Sequence, residues 1–137
     1  MIKEQLYLKT GLTQAQTTKI LVEEIKADIE HFVYIIERHH VPVTMVLLYT
    51  EFDISELVEH KKRLTDIYHV IKVGDGYFTF VFLPFTNIAD SYNFLKHFRD
   101  EVQHLYHLEE IEHKIYNYFN FINSYLFGIL DEKEHEL

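Results

Sequence analysis

The sequence predicts an α+β domain: an antiparallel sheet with a β-α-β-β-α-β core, helices on one face and an additional N-terminal helix. Three observations lead there. Short runs rich in β-branched and aromatic residues are interleaved with longer stretches whose apolar residues recur at helical spacing. Two of the β-rich runs flank Gly74-Asp75-Gly76, which has the turn chemistry of a hairpin. The chain has 137 residues, 47% of them apolar, enough for one core, and no linker, repeat or low-complexity segment divides it.

Residues 12–40 carry Ile20, Leu21, Ile25, Ile29, Phe32, Val33 and Ile36 at helical spacing, with Thr13 as the N-cap. Val41-Pro42 ends this helix, because a residue before proline avoids the helical region. Val43 to Tyr49 reads VTMVLLY, a β-rich run apolar on both faces, and so a central, buried strand. Glu51 to Thr65 is a short amphipathic helix with Leu57, Val58 and Leu64 facing inward. YHVIKV and YFTFVFLP then form the hairpin. Asn87 opens a second long helix to about His113, with Ile88, Tyr92, Leu95, Phe98, Val102 and Leu105 on one stripe. For the last segment, IYNYFNFI and YLFGIL around Asn123-Ser124, two readings compete. A strand pair is preferred for its β-propensity and for Gly128, which weakens a helix. A helix would instead use Asn117, Asn120 and Asn123 as its polar face. DEKEHEL, residues 131–137, is expected to be a flexible tail. This order of elements is that of a ferredoxin-like, split βαβ domain.

Composition removes several classes of function. With 22 acidic and 13 basic residues the net charge is −9, and the longest basic cluster is Lys61-Lys62-Arg63. A nucleic-acid binder needs a cationic footprint that is not found here. There is no cysteine, hence no disulfide, thiolate metal site or thiol nucleophile. The N-terminus lacks the long apolar core of a signal peptide, and no apolar run reaches membrane-spanning length. A cytoplasmic protein without membrane contact is expected.

Several segments, in order, resemble the GGDEF family, the bacterial diguanylate cyclases. Thr10-Gly11-Leu12 resembles the T-G-L of the opening D-x-L-T-G-L-x-N-R motif. PVTMVLLYTEFD from Pro42 resembles the first strand, PLSLLLLDID in the family. Lys72-Val73-Gly74-Asp75-Gly76 stands where the family has R-x-G-G-D-E-F. Leu83-Pro84-Phe85-Thr86 and the following NIADS resemble L-L-P-x-T and the helix after it. Tyr125-Leu126-Phe127-Gly128-Ile129 resembles the closing S-x-G-I-A strand. The resemblance spans nearly the whole chain, taken as a single domain over 1–137. It implies a nucleotide-cyclase palm and signalling through cyclic di-GMP.

The departures bear on activity. The family holds divalent metal and GTP phosphates with an aspartate ending the first strand and an acid in the hairpin turn. Counted without a gap, Tyr49 falls on the metal aspartate and Glu51 on the second acidic position, while Gly76 or Tyr77 replaces the acid of the turn. Tyrosine and glycine side chains do not supply the oxygen ligands of a hard cation. The guanine-reading segment F-K-x-x-N-D-x-x-G-H is missing from the much shorter stretch between first strand and hairpin. The resemblance thus implies a degenerate member without catalysis or cofactor. It would act through contacts with a second copy or a signalling protein.

Other candidate sites follow from residue types. Arg63-Leu64-Thr65-Asp66 matches R-x-x-D, in the family an inhibitory site for cyclic di-GMP. With Gly74, Asp75 and Gly76, whose backbone a phosphate could approach, Arg63 and Asp66 are the candidate nucleotide-binding residues; a solvated helix end and a plain turn are the competing readings. Glu51, Asp53 and Asp75 would gather as a metal site only under a shifted alignment. His97, Glu101, His104 and His107 share a helical face, which otherwise is a solvated polar face. The aromatic run Tyr116, Tyr118, Phe119, Phe121, Tyr125 and Phe127 is either core or a partner surface.

Overall fold

A computed structural model describes residues 10–98, 104–109, 120, 122–124 and 126, with backbone alone at 88, 92, 97 and 104–109. Thr10-Gly11-Leu12 forms a turn: Gly11 sits at φ 73°, a conformation that side chains resist, and Leu12 N–H donates to Thr10 Oγ1 at 3.2 Å. Helix α1 (Gln14–His39) then starts on a full capping box. Gln16 N–H donates to Thr13 Oγ1 at 3.2 Å, and Thr13 N–H donates to Gln16 Oε1 at 3.0 Å. The helix ends at His40, left-handed at φ 52°, two residues before Pro42.

Strand β1 (Val43–Thr50) is buried at every position, as expected of a strand apolar on both faces. Helix α2 (Ser55–Lys61) follows, then strands β2 (Ile67–Val73) and β3 (Gly76–Pro84). Their register pairs Val73 with Gly76, leaving Gly74 and Asp75 as a two-residue loop. Gly74 has φ 62° and Asp75 keeps a negative φ, the sign pattern of a type II′ turn. Helix α3 (Ile88–Leu95) runs into a 3₁₀ turn (Lys96–Phe98), and strand β4 (His104–Glu109) completes the sheet.

The sheet has the order β2-β3-β1-β4 and is antiparallel throughout. Its faces are covered separately. Leu21, Ile25, Ile29 and Phe32 of α1 pack on Met45, Leu47, Phe78, Phe80 and Phe82, with the Phe32 and Phe82 rings stacked at 4.9 Å. On the opposite face Val46, Leu48, Val81 and Leu83 meet Ile54, Val58, Leu95 and Phe98, from around α2 and α3. Each fully buried phenylalanine contributes about 1.5–3 kcal/mol, so Phe78, Phe80 and Phe98 are major anchors. Among the described residues no helix is long and apolar enough to cross a membrane.

Three expectations are corrected. The helix expected over Glu51 to Thr65 is confined to Ser55–Lys61, so Leu64, expected to face inward, lies beyond it and is fully exposed. The second long helix does not reach His113. Residues 104–109 instead form β4, which pairs Tyr49 with His104 and Thr44 with Glu109 along an edge of β1. Pairing with an open strand edge overrides the helical stripe that Val102 and Leu105 suggested. Nor do the described residues of the C-terminal segment form a strand pair, because 120, 122–124 and 126 are helical. Ile122 and Leu126, one helical turn apart, are both fully buried against the α1 face. Asn123 accepts from Gln14 Nε2 through its backbone oxygen at 2.7 Å and through Oδ1 at 3.2 Å; Oδ1 also accepts from Thr18 Oγ1 at 3.1 Å. Asn123 thus docks on the first turns of α1, while Asn120 is exposed. The aromatic residues proposed as core or partner surface, and the tail 131–137, lie outside the described residues.

Candidate functional site

The strand pairing sorts the candidate residues to two ends of the sheet. β1 and β3 are antiparallel, with Thr50 opposite Tyr77 and Val43 opposite Pro84. Glu51, Asp53 and the Gly74-Asp75-Gly76 turn therefore lie at one end, and Arg63 and Asp66 reach the other. Eight residue steps of β3 separate Gly76 from Pro84, about 26 Å. Arg63 and Asp66 are not brought together with Gly74, Asp75 and Gly76 into one site.

At the hairpin end the side chains are committed to structure. Tyr49 is fully buried, its ring 5.2 Å from that of Phe78, and burial together with the Glu51 charge pushes its hydroxyl pKa up. Asp53 Oδ1 accepts from the Ser55 N–H at 2.8 Å and from the Ser55 hydroxyl, which holds its carboxyl below the usual range and secures the entry to α2. Gly74 serves the turn, and Gly76 is buried at the start of β3. Among the described residues no group of three His, Cys, Asp or Glu side chains is placed to hold a metal ion, so Glu51, Asp53 and Asp75 do not form the cluster of the shifted alignment. Nor do the histidines share a helix: His104 and His107 stand in β4, and Glu101 lies outside the described residues.

At the opposite end the R-x-x-D segment closes on itself. Asp66, its side chain fully buried, accepts from Arg63 Nε at 3.0 Å, from Nη2 at 2.8 Å and from the Arg63 backbone N–H at 2.9 Å. Nη2 also donates to the Pro84 carbonyl at 3.0 Å and to Thr86 Oγ1 at 2.8 Å. Asp66 thus fixes the guanidinium against the end of β3 and is itself shielded from any ligand. None of these bonds uses Nη1, and the Arg63 side chain is 51% exposed.

Arg63 borders a cavity of about 400 Å³ between the end of α2, the end of β3 and α3. It is lined by Lys61 and Arg63 from the end of α2 and beyond, by Leu83, Phe85 and Thr86 at the end of β3, and by Asp90, Asn93 and Phe94 of α3. Phe85 is 63% exposed at φ 61°, unfavourable for a bulky residue, and its N–H donates to the Pro42 carbonyl at 2.7 Å. The ring is therefore displayed by backbone geometry that its neighbours impose. The groove offers an aromatic face, a guanidinium edge, an ammonium and an amide, which are means of recognition. Both signs of charge line it, Lys61 and Arg63 against Asp90, and Asp66 offsets Arg63.

Sequence reasoning placed Arg63 in this site and missed Lys61, Phe85, Asn93 and Phe94. An aromatic immediately after the strand-ending Leu-Pro pair was the available signal; its positive φ has none in sequence. Known protein families, characterised proteins and solved structures yield no match to this chain.

Proposed function

We propose that the chain is a non-catalytic GGDEF-like signalling domain that acts through protein contacts. The carrying observation is Tyr49. Where the resemblance requires a metal-binding aspartate, a ring is buried in the core beside Phe78. A palm of ferredoxin-like type accounts for the antiparallel order β2-β3-β1-β4 with α2 and α3 on one face. Without metal the phosphoryl chemistry of a cyclase loses most of its electrostatic stabilisation. Incubation of the pure protein with GTP and magnesium, followed by chromatography, should yield no cyclic di-GMP; sustained product formation would sink the reading.

A second reading, a receptor for cyclic di-GMP or GTP without turnover, is favoured by the exposed edge of Arg63 on the groove. In it Arg63 and Phe85 meet the ligand, Asp66 positions Arg63, and the Gly74 turn takes no part. Calorimetric titration with cyclic di-GMP checks this. Saturable heat that Arg63→Ala removes is expected, whereas affinity unchanged in that variant would rule out the site.

A further inference from the structure

We propose that β2 is a homodimer interface, its outer edge pairing antiparallel with β2 of a second copy about a two-fold axis through Val70. The inference rests on the domain working through protein contacts and names one such partner. β2 ends the sheet order, and among the described residues no strand pairs with its outer edge.

The ladder shows which backbone groups face outward. Phe85 N–H donates to the Pro42 carbonyl at 2.7 Å, continuing the β1–β3 register by one step. Hydrogen-bonded pairs alternate along an antiparallel ladder, so the odd-numbered residues of β3 bond β1 and the even-numbered ones bond β2. The two-residue loop closed by Val73 and Gly76 agrees. Ile67, His69, Ile71 and Val73 are thereby bonded inward. Tyr68, Val70 and Lys72 present their N–H and C=O groups to the outside.

This edge is complementary to itself. With the axis at Val70, Tyr68 opposes Lys72 of the second copy, Val70 opposes Val70, and the three outward residues of each strand pair with one another. No like charges face each other. Glu59 of α2 neighbours the Tyr68 hydroxyl and raises its pKa, so a carboxylate stands beside the residue that opposes the second copy's Lys72. By symmetry this charge pairing occurs twice. The usual guards of an edge strand are sparse: the register of β2 has no bulge, its sequence has no proline, and Lys72 leans over the Tyr77 ring at 5.7 Å, across its own sheet.

Light scattering during size-exclusion chromatography should show a dimer in the wild-type protein. Val70→Pro should make it monomeric with unchanged circular dichroism, because the N–H it removes points away from β3. The chain has no cysteine, so a short bis-maleimide reports on Val70→Cys cleanly. Copies should link through position 70 and stay unlinked through Leu64→Cys, which is fully exposed but off the axis. A wild-type monomer at every concentration would overturn the interface, as would a dimer that survives Val70→Pro and does not link through position 70. Should Val70→Pro fail to fold, the cross-link decides. A failed interface is distinguishable from a failed parent reading, which the GTP turnover assay tests.

Discussion

The two ends of the sheet are built from the same strands and differ in what their side chains are left to do. At the hairpin end, Tyr49 is in the core, Asp53 holds the start of α2, and Gly74 supplies a turn. At the other end, Asp66 is turned inward so that Arg63 is held with one edge outward, and Phe85 stands exposed in an unfavourable conformation. A motif is therefore a poor guide to function until it is known which way each side chain faces. The R-x-x-D acid is structural and its arginine is the exposed member, while the glycines and acids of the turn end carry backbone geometry.

The contrast can be broken most forcefully at Asp66. Asp66→Ala removes the carboxylate that accepts from three N–H groups of Arg63 and should lower stability by about 2–3 kcal/mol in chemical denaturation. A loss near zero would mean that Asp66 is not the clamp. Gly74→Ala puts a side chain at φ 62° and should cost about 1–2 kcal/mol by the same measurement. A neutral result would free this turn for a role other than geometry. Phe85→Gly tests the strain at the groove end. Glycine accepts φ 61° without steric cost, so stability should rise by up to about 1 kcal/mol although a ring is deleted. A clear loss would show the ring to be packed rather than displayed.

The smallest effect lies at Asp53. Its folded-state pKa is held below the ordinary value, mainly by the Ser55 hydroxyl and then by the Ser55 N–H. Its stabilisation is thus complete above the unfolded value of about 4 and is lost as pH falls through the lower, folded value. Thermal unfolding of Asp53→Asn should show a shallower acid dependence than wild type below that pH. Identical profiles would mean that the Asp53–Ser55 bonds contribute nothing to stability.

Where one local signal sufficed, the sequence was legible. Thr13 and Pro42 marked the ends of α1, VTMVLLY was buried on both faces, and Gly74-Asp75 closed the hairpin as its composition indicated. Legibility failed where two periodicities fitted the same residues. Residues 104–109 satisfied a helical stripe and a strand alike, and the open edge of β1 decided for the strand. At 122–126, β-propensity argued for strands, but Ile122, Asn123 and Leu126 dock on α1 as a helix. Three strands and a C-terminal pair were expected; among the described residues the sheet has four, and β4 stands inside the stretch read as the second long helix. Of the candidate site, Arg63 was visible through its motif. Phe85, Asn93 and Phe94 were not, since only tertiary packing gathers the end of β3 and α3 around the groove.

The proposal that the hairpin end is not a metal–nucleotide site is tested most directly by adding manganese and GTP to isotopically labelled protein and following the amide resonances. Paramagnetic broadening reports proximity without requiring turnover. The account predicts no selective broadening at residues 49–53 and 74–77. Saturable broadening confined to those amides would contradict it and would return Glu51, Asp53 and Asp75 to a metal-binding role.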